Sequence, residues 1–143
     1  MSWNIQRAIL VPYDFSQHSH TAVEKAIELA KDPSQVHVLH VLPSFVALAP
    51  AGFPIEAMDD GPRIEYAKKL MAGEFQDAMY SGVTQEVLIG DPGTVCADRA
   101  QALNAELIVL PSHGRSGVSR LLLGSVTERV VRLATCPVLV LKL

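Results

Sequence analysis

Five short strand-like runs, with helical spacing of apolar residues between them, leave this chain little choice of architecture. The first, Ala8–Val11, is unbroken and apolar, as suits a strand buried on both faces rather than one that borders water. Ser16 then stands where a helix N-cap belongs, and Val23, Ala26, Ile27 and Ala30 follow at i, i+3, i+4 and i+7. Asp32-Pro33 stops that helix, and Val36–Leu42 is a second strand, ended by Pro43. Ile64, Ala67, Leu70, Met71, Phe75 and Ala78 predict a second helix, punctuated by Gly82. Val83–Ile89 is a third strand, closed by Gly90-Asp91-Pro92, and a helix from Gly93 to Asn104 presents Cys96, Ala100 and Leu103. Leu107–Leu110 is the fourth strand, ended by Pro111. Val126, Val130, Leu133 and Ala134 form the stripe of a fourth helix, and Pro137–Leu141 is the last strand. Strict β-α alternation implies an α/β fold: a parallel sheet with helices on both faces.

Between the second strand and the second helix, residues 43–62 break the pattern. Pro43, Pro50, Pro54 and Pro62, with Gly52 and Gly61, punctuate a segment carrying Phe45, Val46, Leu48, Phe53 and Ile55. A connection of this length reads either as a lid or contact loop, or as an ordinary surface loop.

The 143 residues fit one domain able to bury a core without staples. A net charge of −3 and the lack of a basic stripe exclude a non-specific nucleic-acid binder. No window approaches the roughly 20 apolar residues of a membrane span, and Met1–Arg7 lacks the pattern of a signal peptide. Cys96 and Cys136 stand far apart, outside any metal or disulfide spacing, and read as small buried apolar residues. The cytoplasm is the expected location, and no membrane insertion is expected.

In open α/β sheets, ligands sit beyond the carboxyl ends of the strands. That places chemistry at Asp14–Ser16, at His40–Leu42 and, above all, along Pro111–Ser125. Gly114 and Gly117 allow a tight turn whose successive N–H groups form an anion nest. The helix beginning at Ser125 points free N–H groups and its dipole at negative charge, and Arg115 and Arg120 add cations. The same residues admit a purely structural reading, because Ser125-Val-Thr-Glu128 has the spacing of a capping box. Asp14 suits a ribose hydroxyl or a helix cap equally. His113 borders the nest and is expected to be an exposed loop residue. His18 and His20, two apart, do not share a helix face and make no metal pair. No nucleophile with a local base, no Walker lysine and no paired carboxylates stand out, so turnover is not expected. A phosphoryl-accepting receiver domain would seek its groups among Asp14, Asp91, Ser112 and Lys142. Yet Asp14 has no acidic neighbour, Asp91 precedes a proline, and no loop follows the strand holding Lys142.

Taken together, Val11-Pro-Tyr-Asp14-Phe-Ser16, His40-Val41, Gly90-Asp-Pro92, Ser112-His-Gly-Arg-Ser-Gly117, Gly124-Ser125 and Thr135-Cys-Pro-Val-Leu-Val140 resemble the universal stress protein family. The resemblance implies a Rossmann-like, adenine nucleotide alpha hydrolase-like sheet of five parallel strands in order 3-2-1-4-5. It also implies a homodimer through the C-terminal segment Pro137–Leu143, and a role as a stress-response regulator. The ATP-binding branch carries glycine, two residues, glycine, nine residues, then glycine with serine or threonine. Here Gly114, nine residues and Gly124-Ser125 match. By this likeness Pro12, Asp14 and Val41 would border the adenosine. Pro111, His113, Gly114, Arg115, Gly117, Gly124, Ser125, Val126 and Thr127 would border the phosphates of ATP with Mg2+. One position departs: Pro111 stands where that branch has its first glycine, and proline offers no N–H. A family member that binds no nucleotide is the alternative.

Overall fold

Successive side chains of a strand point to opposite faces of its sheet, and here both faces are covered. Strand β1 (Ile9–Pro12) sends Ile9 and Val11 into one core and Leu10 into another; β4 (Leu107–Pro111) divides Leu107 and Val109 from Ile108 and Leu110 in the same way. The computed structural model describes residues 4–44, 50–52, 59–113 and 122–143. Within these the order is β1, α1 (Gln17–Leu29), β2 (Val36–Leu42), α2 (Gly61–Glu74), β3 (Thr84–Ile89), α3 (Pro92–Ala102), β4, α4 (Ser125–Leu133) and β5 (Val138–Leu141). All neighbours pair in parallel, in the order β3-β2-β1-β4-β5. This is the expected sheet. Val23 and Ala26 of α1 and Ala67 and Met71 of α2 fill the first core, while Cys96 and Ala100 of α3 and Val130 of α4 fill the second. The winding therefore reverses between β1 and β4, where a doubly wound sheet opens its crevice.

Two prolines shape that opening. Tyr13 N–H donates to Leu39 O at 2.8 Å, so odd residues of β1 face β2 and even ones face β4. Ile108 and Ser112 donate to Pro137 O and Leu141 O, so odd residues of β4 face β1. Pro12 and Pro111 consequently both lie on the β1–β4 seam, and neither can donate. Pairing along this seam ends at Leu10 opposite Ile108. The two strand ends are free to part.

Several boundaries differ from the sequence reading. Pro111 does not end β4 before itself; it pairs with Leu141, and its missing N–H costs no bond to β5. Helix α2 stops at Glu74, short of Ala78, because Phe75 turns away at φ −119°, ψ 44°. Its ring lies flat against His20 at 5.3 Å and meets Tyr13 and Tyr80 at 5.1 Å each. The same helix starts at Gly61, inside the expected loop, with Pro62 in its first turn. Helix α3 ends at Ala102, and Asn104 lies beyond it in the left-handed region. In α4 it is Thr127 and Val130 that are buried, while Val126 and Leu133 are exposed. Phe45, Val46, Leu48, Phe53 and Ile55 lie outside the described residues, and with them the choice between lid and plain loop.

Candidate functional site

The turn from β1 into α1 builds one wall of the crevice. Ser16 caps α1, its Oγ accepting from Ser19 N at 3.1 Å. Asp14 reaches the same turn from below: its Oδ1 accepts from Ser16 N at 3.0 Å, and its own N–H donates to Ser19 Oγ at 3.3 Å. The carboxylate thus stabilises the helix entry and also lines the cavity beneath it. The helix-entry reading of Asp14 is the one these bonds bear out. Phe15 takes a left-handed φ of 65°, which costs a non-glycine residue on the order of 1–3 kcal/mol. Its ring lies 5.0 Å from Tyr13 and 4.8 Å, edge-on, from His40. His40 Nδ1 donates to Tyr13 O at 2.7 Å.

The opposite wall comes from β4 and α4. Ser112 N–H donates to Leu141 O, Gly124 N–H to Ser112 O, and Thr127 Oγ1 to Pro111 O, each at 2.8 Å. These bonds close the base of the segment that leaves β4 and returns at α4. The capping box does not form: Gly124 is the N-cap without a side-chain bond, Ser125 is the first helical residue, and Glu128 pairs with Arg132 at 3.4 Å. The helix begins one residue early because Glu128 N–H bonds Gly124 O at 2.9 Å. The Ser125, Val126 and Thr127 amides in its first turn have no helix carbonyl behind them. The helix dipole adds positive potential at the same place.

Between the walls lies a cavity of about 270 Å³. Leu39, Val41, Leu110, Pro92 and Cys96 give it an apolar floor. Burial pushes the Cys96 thiol up to about 12, so it stays a neutral thiol and behaves as part of that floor. Tyr13, which also lines the cavity, has its phenol raised to about 12 by burial, with Glu74, Asp14 and Tyr80 adding repulsion. Pro12, Ser19, His40, Pro111, Gly124, Ser125, Val126 and Thr127 line it together with Asp14. One end is suited to a flat apolar group, and a carboxylate and a helix N-terminus are placed for hydroxyls and an anion. Among the described residues no cluster of His, Cys, Asp or Glu is suited to a metal ion.

The structure thus brings together Pro12, Asp14, Val41, Pro111, Gly124, Ser125, Val126 and Thr127 from four separate stretches of chain. Gly114, Arg115, Gly117 and Arg120, which carry the proposed nest, lie outside the described residues. His113 corrects its expectation. It is 8% exposed, its Nδ1 meets Ser112 Oγ at 3.2 Å, its buried Nε2 has no partner among the described residues, and it does not line the cavity. It is drawn inside because Ser112 still pairs with β5. Sequence reasoning missed Tyr13 and Ser19, and placed Cys96 only as generic core. The one local signal was Ser19, three residues after the Ser16 cap.

The model of the universal stress protein family matches residues 6–142. Universal stress protein MJ0531 of Methanocaldococcus jannaschii is 33% identical, covering 97% of this chain and 84% of the relative. The solved structure of MJ0577, a universal stress protein of the same organism, superposes with a TM-score of 0.77 at 26% identity, covering 100% of this chain and 98% of that one. A universal stress protein solved in complex with cAMP shares the fold, with a TM-score of 0.65 at 21% identity over 97% of this chain and 98% of that one. The reversal of winding between β1 and β4, the crevice it opens and a sequence match along almost the whole length agree: the chain belongs to the universal stress protein family.

Proposed function

We propose that the crevice binds an adenine nucleotide, ATP with Mg2+ in the first instance, and that the chain acts as a stress-response regulator through a homodimer rather than as an enzyme. The observation carrying this reading is the convergence of Asp14 and the first turn of α4 on one apolar cavity at the switch point of the sheet. The cavity floor suits a purine, Asp14 suits ribose hydroxyls, and the Ser125–Thr127 amides suit a phosphate. Mg2+ would arrive on the phosphates, as hard cations do where few protein carboxylates are at hand. The cAMP complex of a protein with this fold supports the reading at the level of architecture. Ser112 Oγ and His113 Nδ1 do form a hydroxyl–imidazole contact, but both side chains are buried and neither lines the cavity. That favours holding a ligand over turning one over.

Isothermal titration of the purified protein with ATP and Mg2+ tests the proposal. Saturable binding is expected, weakened by Asp14→Ala; no heat of binding at millimolar ATP overturns it.

A second reading, a member that binds no nucleotide, is favoured by two observations. Gly124 N–H is already spent on Ser112 O, and Pro111 brings no donor to the seam. One lost hydrogen bond to a charged group costs about 1.5–3 kcal/mol, roughly ten- to a hundredfold in affinity. Pro111→Gly separates the two readings: ATP binding confined to the variant supports the second, and binding already present in the wild type supports the first.

A further inference from the structure

Strain beside a cleft is a pointer to function when the surrounding structure over-determines it. The left-handed residue here is Phe15, next to Asp14. Among the described residues, two kinds of contact hold that turn. The local ones, Ser16 N to Asp14 Oδ1 and Asp14 N to Ser19 Oγ, fix the carboxylate relative to α1. The others reach across from β2: Leu39 O accepts from Tyr13 N, and His40 Nδ1 donates to Tyr13 O, so both polar groups of Tyr13's backbone are bound by one strand. The His40 ring also stands edge-on to Phe15, which meets the Tyr13 ring as well. A carbonyl can only accept, so Nδ1 must carry the hydrogen. Free neutral imidazole prefers the other tautomer, and the protein therefore imposes this one.

We propose that His40 is a positioning residue. By clamping Tyr13 O and bracing Phe15, it sets the height at which Asp14 meets the cavity, and so gives the site its preference for a ribosyl over a deoxyribosyl ligand. The inference rests on the nucleotide reading of the cleft. Its logic is geometric. A carboxylate can accept several hydrogen bonds at once, but a hydroxyl–carboxylate bond needs oxygens about 2.5–2.7 Å apart. If the turn relaxes, Asp14 loses this contact first, because an apolar floor tolerates a small shift and a short charged hydrogen bond does not.

The test compares ATP with dATP by isothermal titration on the wild type, His40→Leu and His40→Asn. Leucine removes the donor, whereas asparagine presents an amide N–H near the place of Nδ1. The wild type is expected to favour ATP by about tenfold or more, the value of one charge-assisted hydrogen bond. His40→Leu should lose ATP affinity disproportionately, bringing the ratio near one, and His40→Asn should restore much of it. A leucine variant that keeps the wild-type ratio, or weakens both ligands equally, overturns the inference. A wild type that takes both nucleotides equally overturns it too, while leaving the nucleotide reading standing; a wild type that takes neither overturns both. Ring nitrogen NMR of the wild type supplies a readout that needs no ligand or variant. A hydrogen on His40 Nδ1 at neutral pH is expected, and a hydrogen confined to Nε2 sinks the clamp even if a variant fails to fold.

Discussion

Gly93 shows how one residue can depend on another far along the chain. A Cβ built there would stand 2.6 Å from Cγ and 2.7 Å from Cβ of Arg129, closer than side-chain atoms approach. The missing side chain lets the arginine stem cross α3 and bring Nη1 to Asp91 Oδ2 at 3.0 Å. Asp91 meanwhile caps α3, accepting from Thr94 N at 3.0 Å and from its Oγ1 at 2.7 Å. The Thr94 bonds, helped by Arg129, lower the Asp91 carboxyl below its ordinary range. The acidic-pocket role that a receiver domain would need is thereby replaced by a helix cap. Gly93→Ala should destabilise the protein by about 1–3 kcal/mol, the usual cost of overpacking, seen as a lower urea midpoint. Arg129→Ala in the same background should offset part of that loss, a coupling a double-mutant cycle will register. None of this was legible in the sequence. Gly93 could be read as a helix start, but its need to be glycine is set by a partner on α4. His113 was misread for a related reason, since an extra pairing at Ser112 carries it inside.

Elements fared better where burial was two-sided. Val36–Leu42 was read with both ends right, because a strand between two cores must be apolar nearly throughout. The end of α2 and the cap of α4 were misplaced, because tertiary packing of Phe75 and an early hydrogen bond to Gly124 overrode local spacing. Strand β2 also carries a titration. Burial, then the charge of Arg99, lowers the His37 imidazole below 6.5, with Glu86 pulling weakly the other way. Arg99 is held in place by a two-pronged pair with Glu86, at 2.6 and 3.0 Å. The folded ring resists a proton that the unfolded ring accepts, so the unfolded state binds more protons as pH falls. The stabilisation from neutral His37 is present above its unfolded value and declines as pH drops through its lowered folded value. The urea midpoint should therefore fall between about pH 7.5 and pH 5.5 more steeply in the wild type than in His37→Gln. Equal slopes would remove His37 from the account.

At the scale of the whole molecule, the alternation of elements was legible but the sheet order was not. Alternation fixes parallel pairing and leaves the order open; that came from the family resemblance and holds in the structure. The order makes β3 and β5 the edges, and they differ. β3 presents exposed Thr84 and Gln85 followed by Glu86, whereas β5 is Val-Leu-Val-Leu, with Val131 and Leu133 exposed on α4. Polar and charged residues blunt an edge, and an apolar edge invites a second strand. Pro137 O and Leu141 O serve β4, so Val138 and Val140 direct their N–H groups outward. If the proposed homodimer forms through this edge, Val140→Pro should abolish it in light scattering while preserving the fold, because the lost donor faces away from β4. A variant that stays dimeric would place the interface elsewhere. The seam at the middle of the sheet has the opposite character. Pro12 and Pro111 are permanent stops: no thermal fluctuation can supply the hydrogen a ring nitrogen lacks, so the strands cannot zip further shut. A guest arriving at the cavity meets a doorway already ajar, and the empty and occupied proteins should differ little in the frame that surrounds it.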